Sequence, residues 1–421
     1  MVSSHEKNRG SSGGRDSVGG PSAIAHVDAD SFFASVIVRL NPSLRGKPVL
    51  ALGMGGGCVI AATYEAKAKG VKTGMRLSEA KLLVPDAIEM AADFRETAIA
   101  SQQIASVLGN HSPILEHTSI DEWYVDLDAL VGGAPKDGEL WGRAIQKEVL
   151  QTTALSVSVG VASSKLLAKM AGEYRKPAGV TALSSDDDIQ RFLQDRPAEA
   201  IPGIGRQRGT KTEALGWVTA WDVATAPASE IIRICGRPGI EMQRELMGER
   251  VYPVTKDILP PKSISRCRTF KATNDVKILK AHMLKHLEYC TLKMRRWNFG
   301  TTELSIWIRT PDFAYRGAHR RMDRVCTTVE QLLGPALSAL SGLTWHASKW
   351  NQVGLALYGF KPADAPQQSL FEDPEKALAG ERLQEAMDGL HGKYGRDSVT
   401  RAAALSVASG THKNFNLTII E

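Results

Sequence analysis

The sequence predicts an α+β multidomain protein, and three observations carry that reading. Strand-like and helix-like segments interleave over roughly the first 180 residues, the mark of an α/β or α+β domain with an inserted subdomain. A helical pattern with short connectors runs from Asp186 to Met247. After the proline-rich stretch YPVTKDILPPK (252–262), which reads as a linker, strands and helices alternate again as far as Phe360.

Residues 1–22 are rich in Gly and Ser and read as a disordered tail, whose basic residues could brush a nucleic acid or do nothing. The tail has no apolar core of the kind a secretory signal needs. AIAHVD (23–28) is an apolar run ending in an acid, the pattern of a buried strand, and SFFASVIV (31–38) continues as a helix. KPVLAL (47–52) and CVIAA (58–62) read as strands around the GMGGG turn, followed by helices at 64–69 and 76–84. Residues 120–127 are strand-like and 138–152 helical. ALSVSVGV (154–161) alternates as a strand, and Ser163 or Ser164 caps a helix that runs to Tyr174. Later strands are SISRCRTF, TELSIWIRT and QVGLALYGF, with helices near 275–296 and 322–340. Residues 361–366 form a second linker, and 381–394 a late helix.

Hydrophobic residues make up 43% of the chain and charged ones 23%, ordinary for a soluble globular protein. No apolar run reaches the roughly 18 residues of a membrane span, so no membrane partner is expected. The five cysteines are scattered without ligand spacing. That argues against a zinc cluster or a disulfide framework and fits free thiols in a reducing cytoplasm. Net charge is +6, but Lys256–Lys361 alone holds 18 Lys/Arg against 7 Asp/Glu. Such asymmetry points to a polyanion, with a plain solvated basic surface as the alternative.

Two acidic clusters border apolar runs: Asp28 and Asp30 in HVDADSFF, and Asp121, Glu122 and Asp126 in SIDEWYVDL. Neighbours on a regular strand point to opposite faces, so Asp121 and Glu122 converge only if the chain bends there. Apposed buried carboxylates repel and are poorly solvated; a divalent cation removes both problems, and hard oxygen donors suit Mg²⁺. Ordinary acids on surface loops are the alternative. Tyr64 with Lys67, Lys165 with Lys169, and Lys176 before a Pro–Ala–Gly turn could grip a triphosphate or form solvated helix faces.

HVDADSFFASV, YEAKAKGVKTGM, SIDEWYVDL, SVGVASSKLLAKMA with KPAG, and IPGIG stand in the order and at the spacing of the Y-family translesion DNA polymerases. The chain resembles that family, most of all its bacterial members, over residues 23–360. The resemblance implies a right-hand polymerase: a palm (23–32 and 93–183), fingers (33–92), a helical thumb with a helix-hairpin-helix (184–250), a linker (251–262), a DNA-binding α+β little finger (263–360) and a C-terminal segment (361–421). It implies template-directed addition of deoxynucleotides to a primer 3′-hydroxyl, error-prone and lesion-tolerant, in a monomer of the cytoplasm.

Residue by residue, the resemblance implies that Asp28, Asp121 and Glu122 hold two Mg²⁺ ions, with the backbone carbonyl of Ala29 as a further ligand. Such ions would activate the primer hydroxyl and neutralise the leaving pyrophosphate. Phe33 matches the ring that excludes a 2′-hydroxyl, with a plain core Phe as the alternative. Tyr64, Lys67 and Lys176 match the residues that hold the triphosphate of a dNTP. Four positions depart from the family. Lys67 replaces the usual Arg, Ala61 replaces a hydroxyl residue with Thr63 displaced beside it, Ile37 replaces a common Glu, and the bulky Trp123 follows Glu122, where it could crowd the site.

IPGIGRQRG resembles a helix-hairpin-helix, in which Gly203 and Gly205 allow a tight turn with backbone N–H groups facing a DNA phosphate; a common helix–helix turn is the alternative. Lys262, Arg266 and Arg268 alternate along a strand, so they would share one face and grip the duplex backbone of primed template DNA. In QQSLF, Gln367, Leu370 and Phe371 match the peptide that docks in a sliding clamp; an incidental linker sequence is the alternative. A catalytically silent DNA- and clamp-binding scaffold is the rival to the enzyme, but such relatives lose the metal acids. A non-polymerase nucleotidyl enzyme, such as a cyclase, would leave the basic domain and clamp peptide idle.

Overall fold

The computed structural model describes residues 23–53, 56–344, 349–363, 374–395 and 398–407. The chain forms two compact units that part between Ile258 and Leu259.

The first unit begins β1 (Ile24–Ala29), α1 (Phe32–Leu40), β2 (Val49–Leu52), β3 (Val59–Ala62), α2 (Tyr64–Ala68), α3 (Leu77–Leu83), β4 (Ile88–Ala91) and α4 (Phe94–His111). It continues through β5 (Leu115–His117), β6 (Glu122–Asp126), α5 (Gly138–Thr153), β7 (Val157–Ala162), α6 (Lys165–Tyr174) and β8 (Val180–Ala182). Helices α7 (Asp186–Asp195), α8 (Arg206–Glu213), α9 (Ala220–Thr225), α10 (Ala228–Cys235) and α11 (Pro238–Leu246) complete it.

Five strands form one sheet in the order β5-β6-β1-β7-β8, with β1 antiparallel to both neighbours. Every residue of β1 and β7 is buried because helices cover both faces, which is why AIAHVD lacks the apolar–polar alternation of a half-exposed strand. On one face Ala25, Val27, Trp123 and Val125 pack with Ile104 and Leu108 of α4 and Ile145 and Val149 of α5. On the other, Ile24, Tyr124 and Ala162 pack with Leu167, Ala168 and Ala171 of α6. Gly160 lets α6 approach that closely: a Cβ there would stand 2.0 Å from the Ala168 carbonyl oxygen. Ser164 caps α6 by accepting from the Leu167 N–H, as its position predicts. Glu245 of α11 fastens the same end, accepting from the Leu166 N–H at 2.9 Å. A smaller sheet, β3-β2-β4, carries its own apolar core.

The second unit contains β9 (Ser263–Thr273), α12 (Val276–Arg296), β10 (Phe299–Arg309), β11 (Tyr315–Cys326), α13 (Val329–Leu343), β12 (Trp350–Pro362) and α14 (Pro374–Tyr394), followed by a 3₁₀ turn at Ala402–Val407. Its antiparallel sheet runs β11-β10-β12-β9. Leu304, Ile306, Val353 and Leu355 face Leu279, Met283 and Leu287 of α12 and Leu332 and Leu340 of α13. Behind α12, Arg401 bonds Glu288 at 3.0 Å and Glu330 at 2.5 Å, and Ala404 enters the core.

Two expectations need correction. The helix expected near 322–340 starts only at Val329, because β11 extends to Cys326. That edge strand, YRGAHRRMDRVC, is rich in arginine and largely exposed, so it lacks the apolar alternation that marks a strand. Helix α4, of 18 residues, lies where the sequence shows no helical signature, since its buried Thr97, Ala100 and Ser101 dilute the apolar stripe. Among the described residues, no helix is long and apolar enough to cross a membrane.

Candidate active site

Antiparallel pairing of β1 with β6 sets Asp28 opposite Glu122 and His26 opposite Tyr124. Directly opposed residues share a face and lie side by side, so the ladder brings two carboxylates together from distant parts of the chain. Donor atoms of His26, Asp28 and Glu122 all lie within 4.8 Å of one another. The SIDE segment does bend: the N–H groups of Thr118 and Ser119 return to the Glu122 carbonyl, so Asp121 precedes the strand instead of continuing its alternation. The Asp121 carbonyl accepts the Ala29 N–H at 2.9 Å, tying the two acidic segments. Its carboxylate accepts from Ser119 Oγ at 2.5 Å.

Helix α6 and the turn after it carry the counter-charges. Lys169 Nζ donates to Glu122 at 2.6 Å and Lys176 Nζ to Asp28 at 2.5 Å. Burial pushes Asp28 up to about 7, reinforced by Glu122 and Asp121 and opposed by Lys176. Neighbouring His26 and then Lys169 hold Glu122 well below the carboxylate range. A buried carboxylate this reluctant to ionise, beside others, is the environment a divalent cation relieves, and the donors are hard oxygens.

Tyr64 and Lys67 of α2 reach the same place. Tyr64 Oη donates to Asp30 at 3.4 Å, and Lys67 Nζ stands 4.5 Å from the Tyr64 ring centroid. Burial, then Asp30, pushes the Tyr64 phenol up to about 12. Burial, then Lys176, lowers Lys67. Phe33 lies half-buried in the first turn of α1, after a left-handed Ser31 (φ 47°), its ring edge-on to Phe94 at 5.6 Å. Phe32 beside it is core.

The sequence assigns Asp30 no role beyond its acidic cluster, and the structure gives it one. It is buried and accepts from Ser158 Oγ at 2.8 Å and from the Ala178 N–H at 2.8 Å, so it pins the turn that presents Lys176. His26 escaped notice, although a histidine inside an apolar strand two residues before an acid is a readable signal. Lys169, read as a phosphate contact, is paired with Glu122; Lys165 pairs with Glu116 at 2.5 Å. Trp123 does not crowd the site: pleating turns it to the opposite face of the sheet, where it is fully buried and stacks on His117 at 5.2 Å. Thr63 does not replace the missing hydroxyl of Ala61, because its Oγ1 donates to the Lys47 carbonyl and accepts the Val49 N–H. Ile37 is buried in the core beneath α1.

Gly203 takes a left-handed conformation (φ 100°), and Gly205 precedes α8 as its N-cap. Ile201 and Ile204, both buried, anchor that turn. In the second unit Arg266 and Arg268 share the face of Ile264, the side on which α12 packs, and Arg266 lies 4.5 Å over the Tyr289 ring. Lys262 precedes β9. Gln367, Leu370 and Phe371 lie outside the described residues.

Comparison with known proteins follows the same lines. Residues 27–173 match the impB/mucB/samB family, and residues 261–370 match that family's C-terminal domain, together more than half of the chain. A DNA polymerase IV of Methanoculleus marisnigri is 34% identical over 319 residues, 74% of this chain and 88% of that one. The DNA polymerase IV of Caulobacter vibrioides is 31% identical over 391 residues, 92% of this chain and 95% of that one. Among solved structures, a Y-family DNA polymerase chimera built on Dbh is similar with a TM-score of 0.70 at 26% identity, covering 80% of this chain and 98% of that one. DinB from Sulfolobus solfataricus is similar at a TM-score of 0.53 and 26% identity, with the same coverage. These relatives imply dependence on a divalent metal, which the carboxylates of this site fit. The chain belongs to the impB/mucB/samB family, and is a Y-family DNA-directed DNA polymerase close to the DNA polymerases IV.

Proposed function

We propose that this translesion polymerase extends a primer 3′-hydroxyl on a DNA template by nucleotidyl transfer with two Mg²⁺ ions, held by Asp28, Asp121, Glu122 and the Ala29 carbonyl. Pairing of Asp28 with Glu122 across β1 and β6, each carboxylate neutralised by a lysine, is the observation that carries this reading. Bound Mg²⁺ would lower the pKa of the attacking hydroxyl and offset charge on the leaving pyrophosphate. Lys176 and Lys67, together with the Tyr64 hydroxyl, lie beside the acids where a triphosphate would need them. Phe33 would exclude a 2′-hydroxyl by packing beneath the sugar.

The positive φ of Gly203 and the N-cap Gly205 support a phosphate contact at the start of α8. Lys262, Arg266 and Arg268 would hold the duplex backbone irrespective of sequence. QQSLF, with Gln367, Leu370 and Phe371, would dock in a sliding clamp, and the chain would act as a monomer in the cytoplasm.

Primer extension with Mg²⁺ and each dNTP tests the metal assignment, beside an Asp121→Ala/Glu122→Ala double variant. We expect extension by the wild type and a loss of at least about 1,000-fold in the variant. A variant that extends normally would overturn the assignment of these acids. A wild type that binds primed DNA and clamp but does not extend would favour the scaffold.

A further inference from the structure

Glu245 sits in the last turn of α11 and is only 3% exposed, a depth at which a carboxylate needs partners. Both its oxygens have one. Oε2 accepts the Leu166 N–H at 2.9 Å, and Oε1 accepts the Tyr252 N–H at 3.1 Å. A neutral amide offers one accepting atom, so a carboxylate is what serves both donors. The Glu245 backbone carbonyl accepts from Ser164 Oγ, the cap of α6, at 2.7 Å. Two of these three bonds end at the start of α6, where free N–H groups and the helix polarity favour a negative charge.

That end of α6 bears Lys165 and Lys169. Lys165 donates to Glu116 of β5 at 2.5 Å, and Lys169 donates to Glu122 of β6 at 2.6 Å. Close packing fixes the rest of the helix: a Cβ on Gly160 would stand 2.0 Å from the Ala168 carbonyl oxygen and 2.2 Å from the Gly172 nitrogen. The lysines have no such neighbour on their open side. A cavity of about 340 Å³ lies there, lined by Lys165 and Lys169 and by Gly203 and Arg208. With space in front of them, the lysines are placed by where the helix starts, and Glu245 sets that start.

We propose that Glu245 is a positioning residue for nucleotidyl transfer, holding the start of α6 so that Lys169 orients the Glu122 carboxylate. Lys169 occupies Oε1 of Glu122 and so fixes which way that carboxylate faces. The inference rests on the reading of Glu122 as a catalytic acid and extends it to a helix more than a hundred residues further along the chain. The effect of Glu245 passes through α6, and a slight shift of a group beside the reacting atoms costs rate steeply.

The test is single-turnover insertion of one correct dNTP on primed DNA with Mg²⁺. It uses the full chain in excess over DNA, in a cycle of Glu245→Gln, Lys169→Gln and the double variant. Glu245→Gln should lower the maximal insertion rate about tenfold. The half-saturating dNTP concentration should not change, since Tyr64 and Lys67 lie on α2. In the Lys169→Gln background the same change should alter the rate less than about twofold, because the path from α6 to Glu122 is already cut. A residue that merely stabilises the fold would lower melting temperature and rate alike in both backgrounds. Ser164→Ala loosens the same joint without touching the carboxylate; it should show the same pattern with a smaller loss, and it carries the test if Glu245→Gln does not fold. Equal losses in the two backgrounds overturn the proposal and leave the acids as read. So does a rate unmoved by Lys169→Gln, or by Glu245→Gln in a variant that melts as a folded chain. Glu122→Ala is the control: normal insertion by that variant overturns the reading of Glu122 and the proposal with it.

Discussion

At the scale of single residues, the site replaces an arginine fork with Lys67, a point charge lodged beside Tyr64 and close to Lys176. Arg would keep the contact with the ring and add bidentate phosphate geometry. Lys67→Arg should therefore lower the KM for dNTP about fivefold, roughly 1 kcal/mol, in steady-state single-nucleotide insertion. An unchanged KM would show that the side chain at this position does not reach the triphosphate. Asp30 is a different kind of residue, buried and serving its neighbours. Asp30→Ala would strand the Ser158 hydroxyl and the Ala178 N–H. The expected cost is about 3 kcal/mol, read as a lower denaturant midpoint, because stranded buried donors lose water without gaining a partner. Wild-type stability in that variant would mean that the Lys176 turn is held by other contacts.

At the scale of elements, α12 sets His282 and His286 one turn apart beneath β9, with His282 stacked on Phe270 at 4.7 Å. Burial, helped by Arg266, Arg268 and Lys285, lowers His282 to about 4; burial, with Arg266, His282 and Arg268, lowers His286 to about 3. Below about pH 6.5 the unfolded chain takes up protons that the folded unit refuses, so stability falls as pH falls toward those values. The loss should be absent above pH 7 and smaller in His286→Phe, as chemical denaturation followed between about pH 7 and 4.5 would show. An equal loss in the variant would assign acid sensitivity to other groups. The elements also explain what the sequence hid. Alternation exposes a strand only where one face is apolar, so β9, β10 and β12 were legible and the charged edge β11 was not.

At the scale of the whole molecule, positive charge is concentrated between Lys256 and Lys361. If that charge meets phosphates, affinity for primed DNA should fall steeply with salt, each contact adding about 0.9 to the slope of log K against log salt concentration. Arg268→Ala should reduce the slope by about one and weaken binding alike on unrelated sequences, measured by fluorescence anisotropy at several salt concentrations. A slope that does not move would remove Arg268 from the DNA contacts.

The sequence by itself determined the α+β class, the family, the identity of the acids and the lysines near them. These are carried by local patterns: apolar runs, caps such as Ser164, and motifs whose residues lie within a few positions of one another. Only the tertiary structure decided which of them meet. Strand register sets Asp28 against Glu122, helix packing brings Lys169 and Lys176 onto those carboxylates, and pleating sends Trp123 to the far face while keeping His26 beside Glu122. Register and packing depend on contacts between residues far apart in the chain, and a one-residue slip would have reversed every one of these placements.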